Sequence, residues 1–302
     1  MMVRLCNQLG ADMWICVPHS ASSDYIRNMA GLVKNTLSPN RRVYVEYSNE
    51  IWNWMFGQAQ WLNTFGNQAT PWPERDVPYI QNCMDRWTEG FAGQMSRCTR
   101  VVAVQAAWQD VSNRIVFTMR PGSFDAFSPA AYFGLSDQGD ATLDALGTSA
   151  TPADVTAQVL QGRLVNEMEW MKQQKREIAD VLNIPMLYYE GGQHITPTPF
   201  GVEPTYAQAL VDLQRDPAMY DLYMTWFDFL RTMHSPAAPG LFMNFSFVSD
   251  RSARYGSWGI LETITQDISQ IPAPKYRAIM ANICSDCAGT APCLPITATR
   301  NR

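Results

Sequence analysis

Short apolar runs alternate with longer stretches of helical periodicity along this chain. That alternation is the pattern of βα units around a parallel sheet. The first apolar run, Met13-Trp14-Ile15-Cys16-Val17, closes at Pro18-His19. A helix is predicted from Asp24 to Leu37, with Ser22 and Ser23 as caps and Ile26, Met29, Ala30, Val33 and Leu37 recurring on one face. A second strand, Arg42 to Tyr47, ends at Ser48-Asn49-Glu50 and leads into the aromatic stretch IWNWMFGQAQW. Next come a helix from Pro78 to Cys98, a strand from Val101 to Gln105 and a helix from Gln109 to Phe117. A fourth strand surrounds Phe124 to Ser128 and leads into Tyr132. One long helix is expected from Ala157 to Leu182, then a strand, Pro185 to Tyr189, ending at Glu190-Gly191-Gly192. Helices over Tyr206–Leu213 and Pro217–Met233, a sixth strand over Leu241–Val248 and a helix over Lys275–Ile283 complete the pattern.

Six βα units are two short of a closed eight-fold barrel. The opening MMVRLCNQLGADMW shows no signal peptide and reads as the middle of a helix running into a strand. The expected fold is therefore α/β, a (β/α)8 TIM barrel truncated at its N-terminal side. On this register the first two strands are missing, and the six runs are the third to the eighth. Residues 1–283 form the barrel and 284–302 a Cys-containing tail.

Composition narrows the function. The chain is 46% hydrophobic and 17% charged, which suits a packed core and argues against disorder. A net charge of −5 disfavours a nucleic-acid partner. No apolar run reaches the roughly 18 residues of a membrane span. Ten Trp and twelve Tyr suit a protein that stacks aromatic rings on sugars. Three dispersed His residues make no metal site, and no cofactor is implied. Cys284, Cys287 and Cys293 lack a fourth zinc ligand, so a disulfide in an oxidising compartment is the preferred reading. Cys6, Cys16, Cys83 and Cys98 read as small buried hydrophobes, and Cys83 and Cys98, on one helix, cannot pair with each other.

Two carboxylates carry the chemistry. Glu50 and Glu190 each end a strand, three strands apart, on the face where barrels build active sites. A pair of carboxyls about 5–5.5 Å apart is what glycoside hydrolysis with retention requires, one as nucleophile and one as acid/base. VYVEYSNEIWN and PMLYYEGGQH resemble the fourth-strand and seventh-strand motifs of clan A glycoside hydrolases. The first resembles an uncharacterised group often linked to carbohydrate-binding modules. The resemblance implies Glu50 as acid/base, Glu190 as nucleophile and Asn49 as partner of a sugar 2-hydroxyl. It also implies His19, Tyr132 and Trp258 as further site residues. The clan's second-strand Arg, which holds the nucleophile ionised, has no match in this register.

Trp52 and His194 complete the candidate sugar-binding set, and Trp54 follows close behind. Glu46, on the same side of its strand as Glu50 but deeper, is expected to be a buried, hydrogen-bonded carboxyl. His234 is expected at the surface near a helix end, and Trp61, Trp87, Trp108 and Trp170 in the core. The expected activity is retaining hydrolysis of O-glycosidic bonds in a poly- or oligosaccharide by a secreted enzyme. The alternatives are a carbohydrate-binding barrel without turnover and a lyase using Glu50 as base.

Overall fold

In the computed structural model of the chain, the described residues are 1–197, 201–234 and 240–286. The predicted tail lies outside them from residue 287 onward, and so does the disulfide expected among Cys284, Cys287 and Cys293. The chain divides into two compact units. The first comprises residues 1–131, 167–190 and 233–243; the second comprises 132–166, 191–232 and 244–302.

The chain runs α1 (Met2–Leu9), β1 (Met13–Val17), α2 (Ser23–Thr36), β2 (Val43–Tyr47), α3 (Gly57–Phe65), α4 (Val77–Gly90), β3 (Cys98–Val104), α5 (Gln109–Thr118) and β4 (Ala126–Pro129). Then follow β5 (Ala131–Gly134), α6 (Asp137–Leu146), α7 (Pro152–Gln161), α8 (Arg163–Gln174) and α9 (Asp180–Leu182). The last elements are β6 (Tyr188–His194), α10 (Ala207–Leu213), α11 (Pro217–Arg231), β7 (Phe242–Asn244) and α12 (Pro274–Asp286).

The first unit is a curved parallel sheet with helices outside it. β1 to β4 pair in sequence order, Met13 beside Val43, Val43 beside Cys98, and Val101 beside Ala126. The ladder continues: Phe127 bridges Met186 in parallel, and the Tyr188 N–H donates to the Leu241 carbonyl at 2.9 Å. All six predicted staves are therefore present and adjacent. Each contributes one inward side chain to a shared interior, namely Trp14, Tyr44, Val101, Ala126, Leu187 and Leu241. Hence these are six consecutive staves of a (β/α) barrel, with β1 at the edge of the sheet order. Asp125, just before β4, accepts a bidentate pair of bonds from Arg100 of β3, at 2.9 and 2.8 Å, and this clamp fixes the two strands.

The alternate positions of β2, Val43 and Val45, are fully buried on the outer face. The helical face read from the sequence does the covering. Ser22 caps α2 by accepting from the Tyr25 N–H, and Ile26, Ala30 and Val33 are buried. Val77, Ile80, Met84 and Trp87 bury the facing side of α4. Each large apolar side chain so buried contributes roughly 1.5–3 kcal/mol. Where α2 and α4 cross, Gly90 lies so close that a Cβ there would meet the Arg27 carbonyl oxygen at 2.4 Å and the Ala30 Cβ at 2.7 Å.

In the second unit, Phe133 of β5 packs on Tyr223 and Trp226 of α11, with centroids 5.3 and 6.1 Å apart. Four expectations need correction. The strand predicted over Pro185–Tyr189 and ending at Glu190 is β6, Tyr188–His194, which runs on through Glu190. The helix predicted to reach Cys98 stops at Gly90, and Cys98 opens β3. The long predicted helix breaks at Gly162, where a Cβ would stand 2.8 Å from Ser136 Oγ, and a π-helical turn, Lys175–Ala179, interrupts it again. The sixth strand is short, Phe242–Asn244.

Gly90→Val forces the α2–α4 crossing apart. It is expected to lower stability by about 1–3 kcal/mol in denaturant unfolding, and an unchanged midpoint would contradict this packing.

Candidate active site

The turn after β2 carries the first carboxylate. Ser48 and Glu50 both adopt left-handed backbone, φ 58° and 44°, which is costly for side chains with a Cβ. Such strain concentrates where function fixes geometry. The turn is tied from several sides. The Ser48 N–H donates to the Val17 carbonyl at 2.7 Å, and the Tyr47 hydroxyl donates to the His19 carbonyl at 2.8 Å. The Gln58 side chain donates to the Asn49 carbonyl at 2.6 Å. Glu50 itself is half-buried, and its Oε2 accepts from the Asn53 side chain at 2.8 Å.

The strand leading to Glu190 reaches back to this turn. The Tyr189 hydroxyl donates to Glu50 Oε1 at 3.1 Å, and the Trp52 ring packs edge-on against Tyr189, centroids 6.1 Å apart. Glu190, the next residue, is half-buried at the end of the first unit. The Glu50 carboxylate and the backbone bearing Glu190 are thus joined through one phenol.

Beneath Glu50 lies Glu46, 1% exposed. Its Oε2 accepts from Trp14 Nε1 at 2.9 Å and from the Cys16 thiol at 3.6 Å, while Oε1 is buried without a hydrogen-bond partner. Burial pushes its pKa up to about 8; the two hydrogen bonds oppose the rise and the Glu50 charge adds to it. At neutral pH it is therefore mostly a protonated acid. The Cys16 thiol is pushed upward by desolvation, by Glu46 and by the charge of Glu190.

The second unit holds an aromatic group of its own. Tyr132, His194 and Trp258 meet edge-to-face, with centroids 5.6, 6.2 and 5.0 Å apart, and Phe245 adjoins Trp258 at 5.8 Å. The Trp258 ring lies over Gly256, where φ is 87° and a Cβ would stand 2.3 Å from the indole. Trp258 Nε1 donates to the Tyr255 carbonyl. The neighbouring Ser257 carbonyl accepts from Gln193 at 2.7 Å and from Lys275 at 2.6 Å. Lys275 is buried, and burial brings its pKa down to about 7.

The sequence-predicted residues thus fall into two groups. His19, Asn49, Glu50, Trp52 and Glu190 belong to the first unit, and Tyr132, His194 and Trp258 to the second. Trp52 is 5% exposed, so it supports Tyr189 from below and offers no face to a ligand. His234 is no surface cap: its Nε2 pairs with the Tyr188 hydroxyl at 2.9 Å. Trp108, expected in the core, is exposed, and Trp61 is half-exposed beside His19, centroids 5.3 Å apart. Cys16 is exposed and Cys6 half-buried, while Cys83 and Cys98 are buried as expected. Tyr189 and Asn53 were not singled out from the sequence, although each adjoins a motif carboxylate and carries a hydrogen-bonding group.

Among the described residues, no group of His, Cys, Asp and Glu could hold a metal ion. No helix there is long and apolar enough to cross a membrane. No protein-family model and no curated protein matches the chain. Solved structures similar in fold are glycoside hydrolases. A calcium-binding mutant of Bacteroides uniformis beta-glucuronidase 2 aligns at 14% identity and TM-score 0.47, over 85% of this chain and 26% of the other. An endo-beta-1,4-mannanase from Cellulomonas fimi aligns at 12% and 0.43, over 86% and 45%. An endo-1,4-beta-D-mannanase from Thermotoga petrophila aligns at 12% and 0.43, over 92% and 78%. The chain spans about a quarter of the length of the glucuronidase chain.

Two outcomes follow from this geometry. Folded Glu46 keeps a proton up to about pH 8, whereas a carboxyl at its ordinary value of 4.5 has released it, so wild-type stability falls as pH rises through that window. Glu46→Gln removes this loss; its unfolding free energy should gain on wild type between those two values, and parallel curves would contradict the assignment. Gly256→Ala should displace the Trp258 indole at a cost of about 1–3 kcal/mol, read as a shift in tryptophan fluorescence and a lower melting temperature.

Proposed function

We propose that this chain carries the catalytic residues of a retaining glycosidase acting on a poly- or oligosaccharide, with Glu190 as nucleophile and Glu50 as acid/base. The observation that carries the reading is the Tyr189 hydroxyl bonded to Glu50 Oε1 at 3.1 Å, because it ties the acid's turn to the residue beside Glu190. In the first step a Glu190 carboxylate oxygen attacks the anomeric carbon while Glu50 gives its proton to the departing glycosidic oxygen. The product is a glycosyl ester on Glu190 and a free sugar hydroxyl. Glu50, now ionised, takes a proton from water as that water attacks the same carbon and Glu190 leaves. Asn49 is assigned to the sugar 2-hydroxyl and His19 to a neighbouring one. Tyr132, His194 and Trp258 are assigned as sugar contacts of the second unit. The parent protein is proposed to be secreted, with no cofactor in the reaction.

A second reading, carbohydrate binding without turnover, draws on the sheet order. β1 ends the row of staves, and Cys16, inward with Glu46, is exposed there.

Dinitrophenyl 2-deoxy-2-fluoroglycosides of glucose, mannose, galactose and glucuronic acid separate the readings. The glycosidase releases a stoichiometric burst of dinitrophenol with one of them and carries the sugar on Glu190, seen by peptide mass; Glu190→Gln gives neither. Sugar binding with no burst favours the second reading, and labelling at another residue sinks the assignment.

A further inference from the structure

The two oxygens of Glu50 meet partners of different kinds. One partner is Asn53, whose backbone closes a turn on the acid's own loop. The Asn53 N–H donates to the Glu50 carbonyl and the Phe56 N–H to the Asn53 carbonyl, each at 2.9 Å. The Asn53 side-chain oxygen accepts from the Met55 N–H at 3.1 Å, which makes an Asx turn. A backbone N–H can only donate, so the amide must turn its oxygen toward Met55 and its NH2 toward Glu50. That NH2 donates to Glu50 Oε2 at 2.8 Å and can accept nothing in return.

The other partner is the Tyr189 hydroxyl, 3.1 Å from Oε1. A hydroxyl can donate or accept, according to where its hydrogen turns. Tyr189 is 6% exposed and packed edge-on by Trp52, so the phenol ring keeps its place whichever way the hydrogen points. A carboxylic acid accepts best through its carbonyl oxygen. A fixed donor on Oε2 therefore favours Oε2 as the carbonyl, and the hydrogen goes to Oε1, where Tyr189 can accept it.

We propose that Asn53 is a positioning residue for the acid/base: it holds Oε2 as the carbonyl oxygen, so that Glu50 carries and delivers its proton through Oε1. The delivery rests on Glu50 as acid/base; the place of the hydrogen does not. In the first step Oε1 gives its proton to the departing oxygen, and the Tyr189 O–H turns to donate to the anion left behind. In the second step Oε1 takes the proton of the attacking water, and Tyr189 turns back.

Asn53→Asp keeps the Asx turn, because a carboxylate oxygen also accepts from the Met55 N–H, but it replaces the donor facing Oε2 with an acceptor. The Glu50 proton is then drawn between the two carboxyls, away from the leaving oxygen. The probes are dinitrophenyl and phenyl glycosides of glucose, mannose, galactose and glucuronic acid. Dinitrophenolate departs without a proton, whereas a phenyl glycoside needs the acid. The variant should lower kcat/KM about tenfold or more on the phenyl glycoside and no more than about twofold on the dinitrophenyl one. The phenyl loss should shrink as pH falls and the introduced carboxyl gains a proton to donate. Equal losses on both probes, or none on the phenyl glycoside, overturn the positioning role. Neutron diffraction from wild-type crystals, at a pD low enough to deuterate Glu50, needs neither turnover nor a variant. Deuterium on Oε1 is expected, and deuterium on Oε2 overturns the proposal. A wild type that never labels Glu190 yet carries deuterium on Oε1 sinks the glycosidase and retains the proton's place. A labelled Glu190 with deuterium on Oε2 does the reverse.

Discussion

Six inward side chains, one from each stave, meet in a single interior, and the position of everything else in the first unit follows from that meeting. In a parallel sheet, strands that share an interior in register also end on the same side. Trp14 beside Tyr44 and Val101 beside Ala126 set that register. Once it is set, the turn after β2 and the first residues of β6 come together, and the Tyr189 phenol can reach the Glu50 carboxylate. The interior also explains the burial of Glu46. Its alternation with Tyr44 puts it on the inward side, one layer below Glu50, where the Trp14 indole and the Cys16 thiol supply its hydrogen bonds. A carboxyl so placed holds its proton up to about pH 8.

Much of this was legible because periodicity and strand-end chemistry are local. The alternation in VYVEYSNE gave strand, face and terminus together, and the amphipathic stripe of α2 appeared as read. What escaped was set by contacts far away in sequence. Gly162 ends a helix whose apolar spacing continues past it, because Ser136 occupies the space a side chain would need. Trp108 has helical spacing yet caps a helix at the surface, where periodicity carries no information about exposure. Trp52 has the reverse history: aromatic beside an acid, it fits a sugar platform, but it fills the space under Tyr189. Tyr189 itself lay within a quoted motif, and only its partner 139 residues away identifies it.

The two units treat their aromatic residues differently. In the second, Trp258 is held edge-on by Tyr132 and His194, over a glycine that leaves it room. Two side-chain donors on the Ser257 carbonyl, one of them a buried lysine, pin the loop that bears it. In the first, the loops bearing Trp54, Trp72 and Trp108 are anchored through the backbone carbonyls of those residues, and the three rings pack on one another.

The left-handed backbone at Glu50 has a consequence for how this position responds to change. A glutamate there stores strain of order 1–3 kcal/mol, which a glycine would not. Glu50→Gly therefore trades the carboxylate for a sturdier fold. Selection for robustness alone would favour glycine at this position.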